Sequence, residues 1–138
     1  DPAWRAGLEA SHTPAEANTP DAICCALRRV AGLLEPAATV AYTTSGFSAL
    51  RASRERPATP ILALTPQLAT ARRLALAWGV HPVPFEEVHD VTEMVEHAGS
   101  AAVSHGFAGA GDVVVVIGGL PFGKSGSTNL LHVARIPG

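Results

Sequence analysis

Apolar residues recur along this chain at two spacings, one helical and one extended, and their alternation predicts its elements. Ile23, Leu27, Val30 and Leu34 fall at helical spacing and make one apolar face. That helix opens with Thr19 as N-cap, Pro20 at the first helical position and Asp21 in the positive first turn, and Pro36 stops it. Ala38-Thr39-Val40-Ala41-Tyr42 then reads as a short buried strand. Thr43-Thr44-Ser45-Gly46 follows, with a helix from about Phe47 to Glu55 that Pro57 halts. The next unit repeats the arrangement. Ile61-Leu62-Ala63-Leu64 is a strand, Thr65 and Pro66 are N-cap and first helical position, and a helix runs to Gly79. Val80 to Val83 is a third strand, marked by Pro82 as near an edge or a strand end. Asp90 and Glu93 form a capping-box-like pair opening a helix that ends near Gly106. Gly111-Asp112 turns the chain into Val113-Val114-Val115-Val116-Ile117, a buried strand. A glycine-rich loop and a last strand, Leu130 to Ile136, complete the pattern.

Strands alternating with helices in this way indicate an α/β domain with a mainly parallel sheet covered on both faces. No helix fits between the last two strands, so that pair is expected to be antiparallel. Residues 1–18, rich in Ala, Pro, Glu and His, read as an N-terminal arm or linker ahead of a single domain over 19–138. A length of 138 residues with 47% hydrophobic content supports one domain with a sizeable core. The formal net charge of −2 gives no global pull toward nucleic acid or acidic lipid. No apolar run approaches the roughly eighteen residues of a membrane span. The opening Asp1-Pro2-Ala3-Trp4 shows no signal peptide, and its lack of Met is expected of a processed or excised piece. Neither nucleic acid nor membrane is therefore an expected partner. Cys24 and Cys25 are neighbours on a helix, where side chains point about 100° apart and a bond between them would be strained. Reduced thiols are expected, which fits a cytoplasmic setting.

Two stretches carry candidate chemistry. Gly118 to Ser125 matches G-x-x-x-x-G-K-[ST] after a buried strand, the pattern of a phosphate-binding loop. That motif needs a helix after Ser125, because loop amides and helix N-terminus together hold the phosphates. The residues that follow read as a strand instead, so the loop is phosphate-friendly but in the wrong fold for a nucleotide hydrolase. Within it Lys124 supplies charge, and Ser125 and Ser127 supply donors; a flexible connection between strands is the plainer alternative. Thr43-Thr44-Ser45-Gly46-Phe47-Ser48 lies at the carboxyl end of a strand and the start of a helix, where ligands bind in open α/β sheets. Its hydroxyls, free amides and positive helix end suit a phosphate, although ordinary capping uses the same residue types. Gly46 is the most telling member, because backbone approaches an anion closely where there is no side chain. His89, His97 and His105 drift by about 80° per step on a helix and do not share a metal. Arg28-Arg29 and Arg72-Arg73 read as solvated charge pairs, and no nucleophile–base arrangement has recognisable context.

Thr44-Ser45-Gly46, Arg54-Glu55-Arg56-Pro57, Pro60-Ile61, Ala71-Arg72-Arg73-Leu74-Ala75-Leu76 and Trp78-Gly79-Val80-His81-Pro82 resemble the C-terminal domain of the pyruvate kinase family, in order and at matching spacing. So do Gly111-Asp112-Val113-Val114-Val115 and Gly126-Ser127-Thr128-Asn129-Leu130-Leu131. The resemblance spans roughly residues 19–136 and implies a three-layer α/β/α domain with a five-stranded mixed sheet whose last strand is antiparallel. It implies a regulatory role and homo-oligomer assembly. The family's catalytic barrel, which moves phosphate from phosphoenolpyruvate to ADP with Mg²⁺ and K⁺, would lie upstream in a longer chain. This chain alone is expected to have no kinase activity and no cofactor.

Carry-over of the family's effector site lands on Thr43, Thr44, Ser45, Gly46 and Ser48, with Gly123, Lys124, Ser125 and Gly126 as the facing loop. Phe47 stands where the best-known fructose 1,6-bisphosphate binders have a small hydroxyl, and their Trp and Arg for the second phosphate have no counterpart around 86–96. A nucleoside monophosphate such as AMP, or a sugar phosphate such as ribose 5-phosphate, suits the residues at least as well. The alternative expectation is a free-standing domain that acts mainly by self-association, through the exposed edge strand 130–136.

Overall fold

The computed structural model describes residues 19–43, 46–55, 59–77, 79–85, 88–119 and 128–138, with backbone only for Phe47 and Ser48. In chain order the elements are α1 (Thr19–Leu34), β1 (Ala38–Tyr42), α2 (Phe47–Arg54), β2 (Ile61–Thr65) and α3 (Leu68–Leu74). β3 (Val80–Pro84), α4 (Val91–Ser104), β4 (Val113–Gly119) and β5 (Thr128–Arg135) follow. The sheet has five strands in the order β3-β2-β1-β4-β5, parallel except for the antiparallel β4–β5 pair.

The uninterrupted apolar runs of β1, β2 and β4 follow from burial on both faces. One face carries Ala41, Ile61, Ala63, Val115 and Ile117 against Cys24 and Leu27 of α1, Ala49 and Ala52 of α2, and Leu74 of α3. The other carries Val40, Leu62, Leu64, Val114 and Val116 against Met94, Ala98, Ala101 and Ala102 of α4. These are the three layers expected from the sequence. The connections β1–β2 and β2–β3 step outward one strand at a time, with α2 and α3 on one face. The β3–β4 connection returns across β2 and β1 with α4 on the opposite face, as right-handed crossovers require when travel across the sheet reverses.

Local signals fix most boundaries. Asp90 caps α4, its Oδ1 accepting from the Glu93 amide at 2.8 Å, while Glu93 Oε2 accepts from the His89 amide at 3.2 Å. The reciprocal arm of the capping box thus reaches one residue before the cap. The helix expected from Pro66 to Gly79 is shorter, Leu68–Leu74. Thr65 still belongs to β2, accepting from the Phe85 amide through its carbonyl and from the Gln67 amide through its hydroxyl. Gln67 is the N-cap, with φ −101° and ψ 115°. At the far end the last turn tightens through Leu76 N–H to Arg73 and Ala77 N–H to Leu74, and Gly79 at φ +67° turns the chain into β3. Cys24 is buried, Cys25 half-buried, and both are free thiols.

Candidate functional site

β1 and β4 are parallel neighbours, with Ala41 level with Ile117. The segments that leave their carboxyl ends therefore open on the same side of the sheet. This is also where the strand order reverses, β1 being followed by β2 on one flank and joined to β4 on the other. In open α/β sheets ligands bind in the crevice outside the carboxyl ends of the strands at such a switch point. Ala41 and Ile117, 76 residues apart in sequence, meet only through this crossover.

Thr43 and Gly46 follow the carboxyl end of β1, and Ser48 is in the first turn of α2. Thr44, Ser45, Gly123, Lys124, Ser125 and Gly126 lie outside the described residues. Their frame is nonetheless defined: β4 ends at Gly119, which pairs with Thr128 at the start of β5. β5 begins three residues after Ser125, so no helix follows the G-x-x-x-x-G-K-S match, and the helix-borne geometry of a nucleotide-hydrolase loop is absent.

The Thr43–Gly46 turn is closed by its own atoms. The Thr43 amide donates to Leu64 O at 3.0 Å, and the buried Thr43 hydroxyl accepts from the Gly46 amide at 2.8 Å. That oxygen keeps its own hydrogen to donate. Gly46 has φ +95°, in the left-handed region, and a Cβ there would stand 3.3 Å from Thr70 Cγ2 and 3.4 Å from Leu74 Cδ2. Sequence reading took Gly46 as a site of anion approach. The described geometry gives it a different necessity: the turn conformation and close packing against α3 both require glycine. Its own amide is already spent on Thr43. What Gly46 leaves open is the helix start behind it. As N-cap it makes no side-chain bond to the first-turn amides of α2, and that turn carries no acidic residue.

On the α4 side, the end of β1 is aromatic, and sequence reading missed it. The Tyr42 hydroxyl donates to Met94 O at 2.9 Å, its ring meets Phe85 edge-on at 5.7 Å, and Phe85 meets His97 at 5.1 Å. Burial, with the Glu93 charge nearby, pushes the Tyr42 phenol well above its ordinary range, so it stays neutral and donates. Gly118 permits this packing: a Cβ there would lie 3.0 Å from Met94 Cε and 3.5 Å from Tyr42 Cβ. The signal was present as a glycine directly after the Val113–Ile117 run, but the phosphate-loop pattern absorbed it. No group of three or more metal-ligating side chains occurs among the described residues.

The described helices include none long and apolar enough to cross a membrane. Residues 21–134 match the model of the family described as "Pyruvate kinase, alpha/beta domain". The chain is 40% identical over 129 residues to a pyruvate kinase of Methylorubrum extorquens, covering 94% of this chain and 27% of that protein. It is 42% identical over 133 residues to one of Agrobacterium vitis, covering 96% of this chain and 28% of the relative. A pyruvate kinase of Geobacillus stearothermophilus is 42% identical over 113 residues, 82% of this chain and 19% of its own length. The chain thus spans about a quarter of the length of the first two relatives, within their C-terminal part. With a family match over most of its length and the mixed five-stranded sheet expected of that family, the chain belongs to the pyruvate kinase alpha/beta domain family.

Proposed function

We propose that this domain is a regulatory module that binds a phosphate-bearing effector, a sugar phosphate or nucleoside monophosphate, at the carboxyl ends of β1 and β4. The observation that carries the reading is the shared end of the sheet: α2 starts after Gly46, a glycine N-cap that gives no side-chain bond, next to the strand end at Gly119 from which the sequence runs on to Lys124. Helix-start amides attract the phosphate, and the hydroxyls of Thr43, Thr44, Ser45 and Ser48 donate to its oxygens. Lys124, flanked by Gly123, Ser125 and Gly126, closes over it as a clamp rather than a catalytic lysine. Effector binding biases quaternary states only by its differential affinity for them.

In a full pyruvate kinase the reaction, phosphate transfer from phosphoenolpyruvate to ADP with Mg²⁺ and K⁺, belongs to an upstream barrel, in the cytoplasm. This chain by itself performs no such transfer. Isothermal titration with AMP, ribose 5-phosphate and fructose 1,6-bisphosphate is expected to give saturable binding with at least one, weakened by Ser45→Asp. Flat titrations across that panel would refute the reading.

A second reading, self-association, is favoured by a contrast between the sheet edges. Phe85 N–H and Gly79 C=O bond to β2, so the alternating positions Pro82 and Pro84 face outward and the β3 edge lacks donors there. Ile136 donates to Asp112 O and accepts from the Gly111 amide, just ahead of β4, so Leu131, Val133 and Arg135 turn their backbone groups outward on β5. An edge with open donors and acceptors pairs readily with a second copy. Sedimentation at rising concentration is expected to show a dimer that Val133→Pro abolishes, because position 133 has no ladder bond to β4 to lose.

A further inference from the structure

α2 is held in place by little apolar surface among the described residues. It is eight residues long, below the length at which a helix is stable by itself. Its glycine N-cap supplies no side-chain bond, and among its described residues the buried apolar ones are Ala49 and Ala52, which offer little apolar surface. Yet this helix carries the Thr43–Gly46 turn, since the Leu50 amide donates to Gly46 O at 2.9 Å. What binds α2 laterally is ionic and buried. Arg51, only 6% exposed, donates from Nε to Asp21 Oδ1 of α1 at 2.5 Å and from Nη1 to Glu55 Oε1 at 2.7 Å. The Cys25 thiol, also on α1, points at the same Glu55 oxygen at 3.7 Å. A single guanidinium therefore joins the first turn of α1 to both the middle and the C-cap of α2. The planar fork of arginine makes this geometry; lysine offers one point charge in its place.

We propose that Arg51 is a positioning residue for the effector site, fixing α2 against α1 so that the Thr43–Leu50 turn is held ready for an anion. The proposal deepens the effector-binding reading and rests on it for its function, but the ordering of the turn is testable without any ligand. The side chain touches no ligand. It acts through the helix axis, while Gly46, packed on Thr70 and Leu74, pins the other end of α2 to α3. Because Asp21 lies in the first turn of α1, the same link ties the site to the point where residues 1–18 join the domain.

Amide hydrogen exchange on the chain tests the positioning directly. In Arg51→Met, protection at the Gly46 and Leu50 amides is expected to fall by about tenfold or more beyond the uniform fall that lost global stability gives Val114 to Val116. A triple variant, Asp21→Leu with Arg51→Met and Glu55→Leu, replaces the ions by apolar bulk so that folding does not depend on them. It is expected to keep core protection and still lose it at Gly46 and Leu50. Wild-type protection of those two amides in either folded variant overturns the proposal. So does loss of the whole fold in both variants, since the network would then hold the domain rather than the turn. With AMP as probe, the dissociation constant of the triple variant is expected to rise about tenfold, roughly the effect of loosening one ordered loop. Flat titrations of the unmodified chain with AMP, ribose 5-phosphate and fructose 1,6-bisphosphate alike would remove the effector reading while the exchange pattern still decides the role of Arg51.

Discussion

The helices α2 and α4 cover opposite faces of the same sheet and are held there by opposite means. α4 has 14 residues, an Asp90 cap with its Glu93 partner, and four buried residues facing the sheet, Met94, Ala98, Ala101 and Ala102. α2 has eight residues, a glycine cap without a side-chain bond, and a buried arginine between two carboxylates. The difference is one of information as much as energy. Apolar burial is non-directional and tolerates small shifts, whereas an arginine fork between two acids specifies one orientation and is costly to break. A helix that needs a defined start, for an anion at its amides, gains from the second kind of tether.

The contrast can be broken most severely at Arg51. Met at this position removes the cation shared by Asp21 and Glu55, and an expected loss of about 3–5 kcal/mol should appear in urea unfolding. Met94→Ala is the matching cut on the other helix. It should cost about 2–4 kcal/mol by emptying the space between α4, Tyr42 and Gly118, yet leave exchange at the Gly46 amide as it was. Equal loosening of Gly46 in both variants would erase the distinction between the two tethers.

Alkali probes both sides, since burial raises the Cys24 thiol on the α2 side and the Tyr42 phenol on the α4 side. Burial pushes the Cys24 thiol up from 9.0 to about 11, against a smaller opposing pull from Arg51. A raised folded-state value favours the protonated form, so this contribution is whole below pH 9 and is lost as pH climbs toward about 11. Its share of the fall should be on the order of 2 kcal/mol and should disappear in Cys24→Ala, leaving the part that sets in above the ordinary tyrosine range and belongs to Tyr42, measured by unfolding at stepped pH. Smallest is the α4 cap. Asp90→Ala should cost about 1 kcal/mol, read as a modest drop in thermal midpoint with the α2 amides unaffected.

Much of this was legible from local pattern. The capping pair at Asp90, the proline that ends α1 and the valine run of β4 each act within a few residues, so order along the chain is enough to read them. The α3 boundary was misread because Thr-Pro was taken for a helix start, when pairing of Thr65 with β3 kept it in the sheet. Tertiary pairing overrode a local signal of comparable size. Arg51 gave no warning at all. In sequence it is one more arginine in a polar helix, and its burial depends on Asp21, 30 residues away, arriving from another helix.

The sequence by itself determined the alternation of strands and helices, the family and the two loops whose residue types suit phosphate, because each rests on neighbours along the chain. Tertiary structure alone decided that the β1 and β4 ends share one side of the sheet, that Gly46 is demanded by Thr70 and Leu74, and that α2 hangs on a buried arginine. These depend on which elements the crossovers bring together, and no periodicity along the chain encodes a distance between residues that meet only after the sheet has formed.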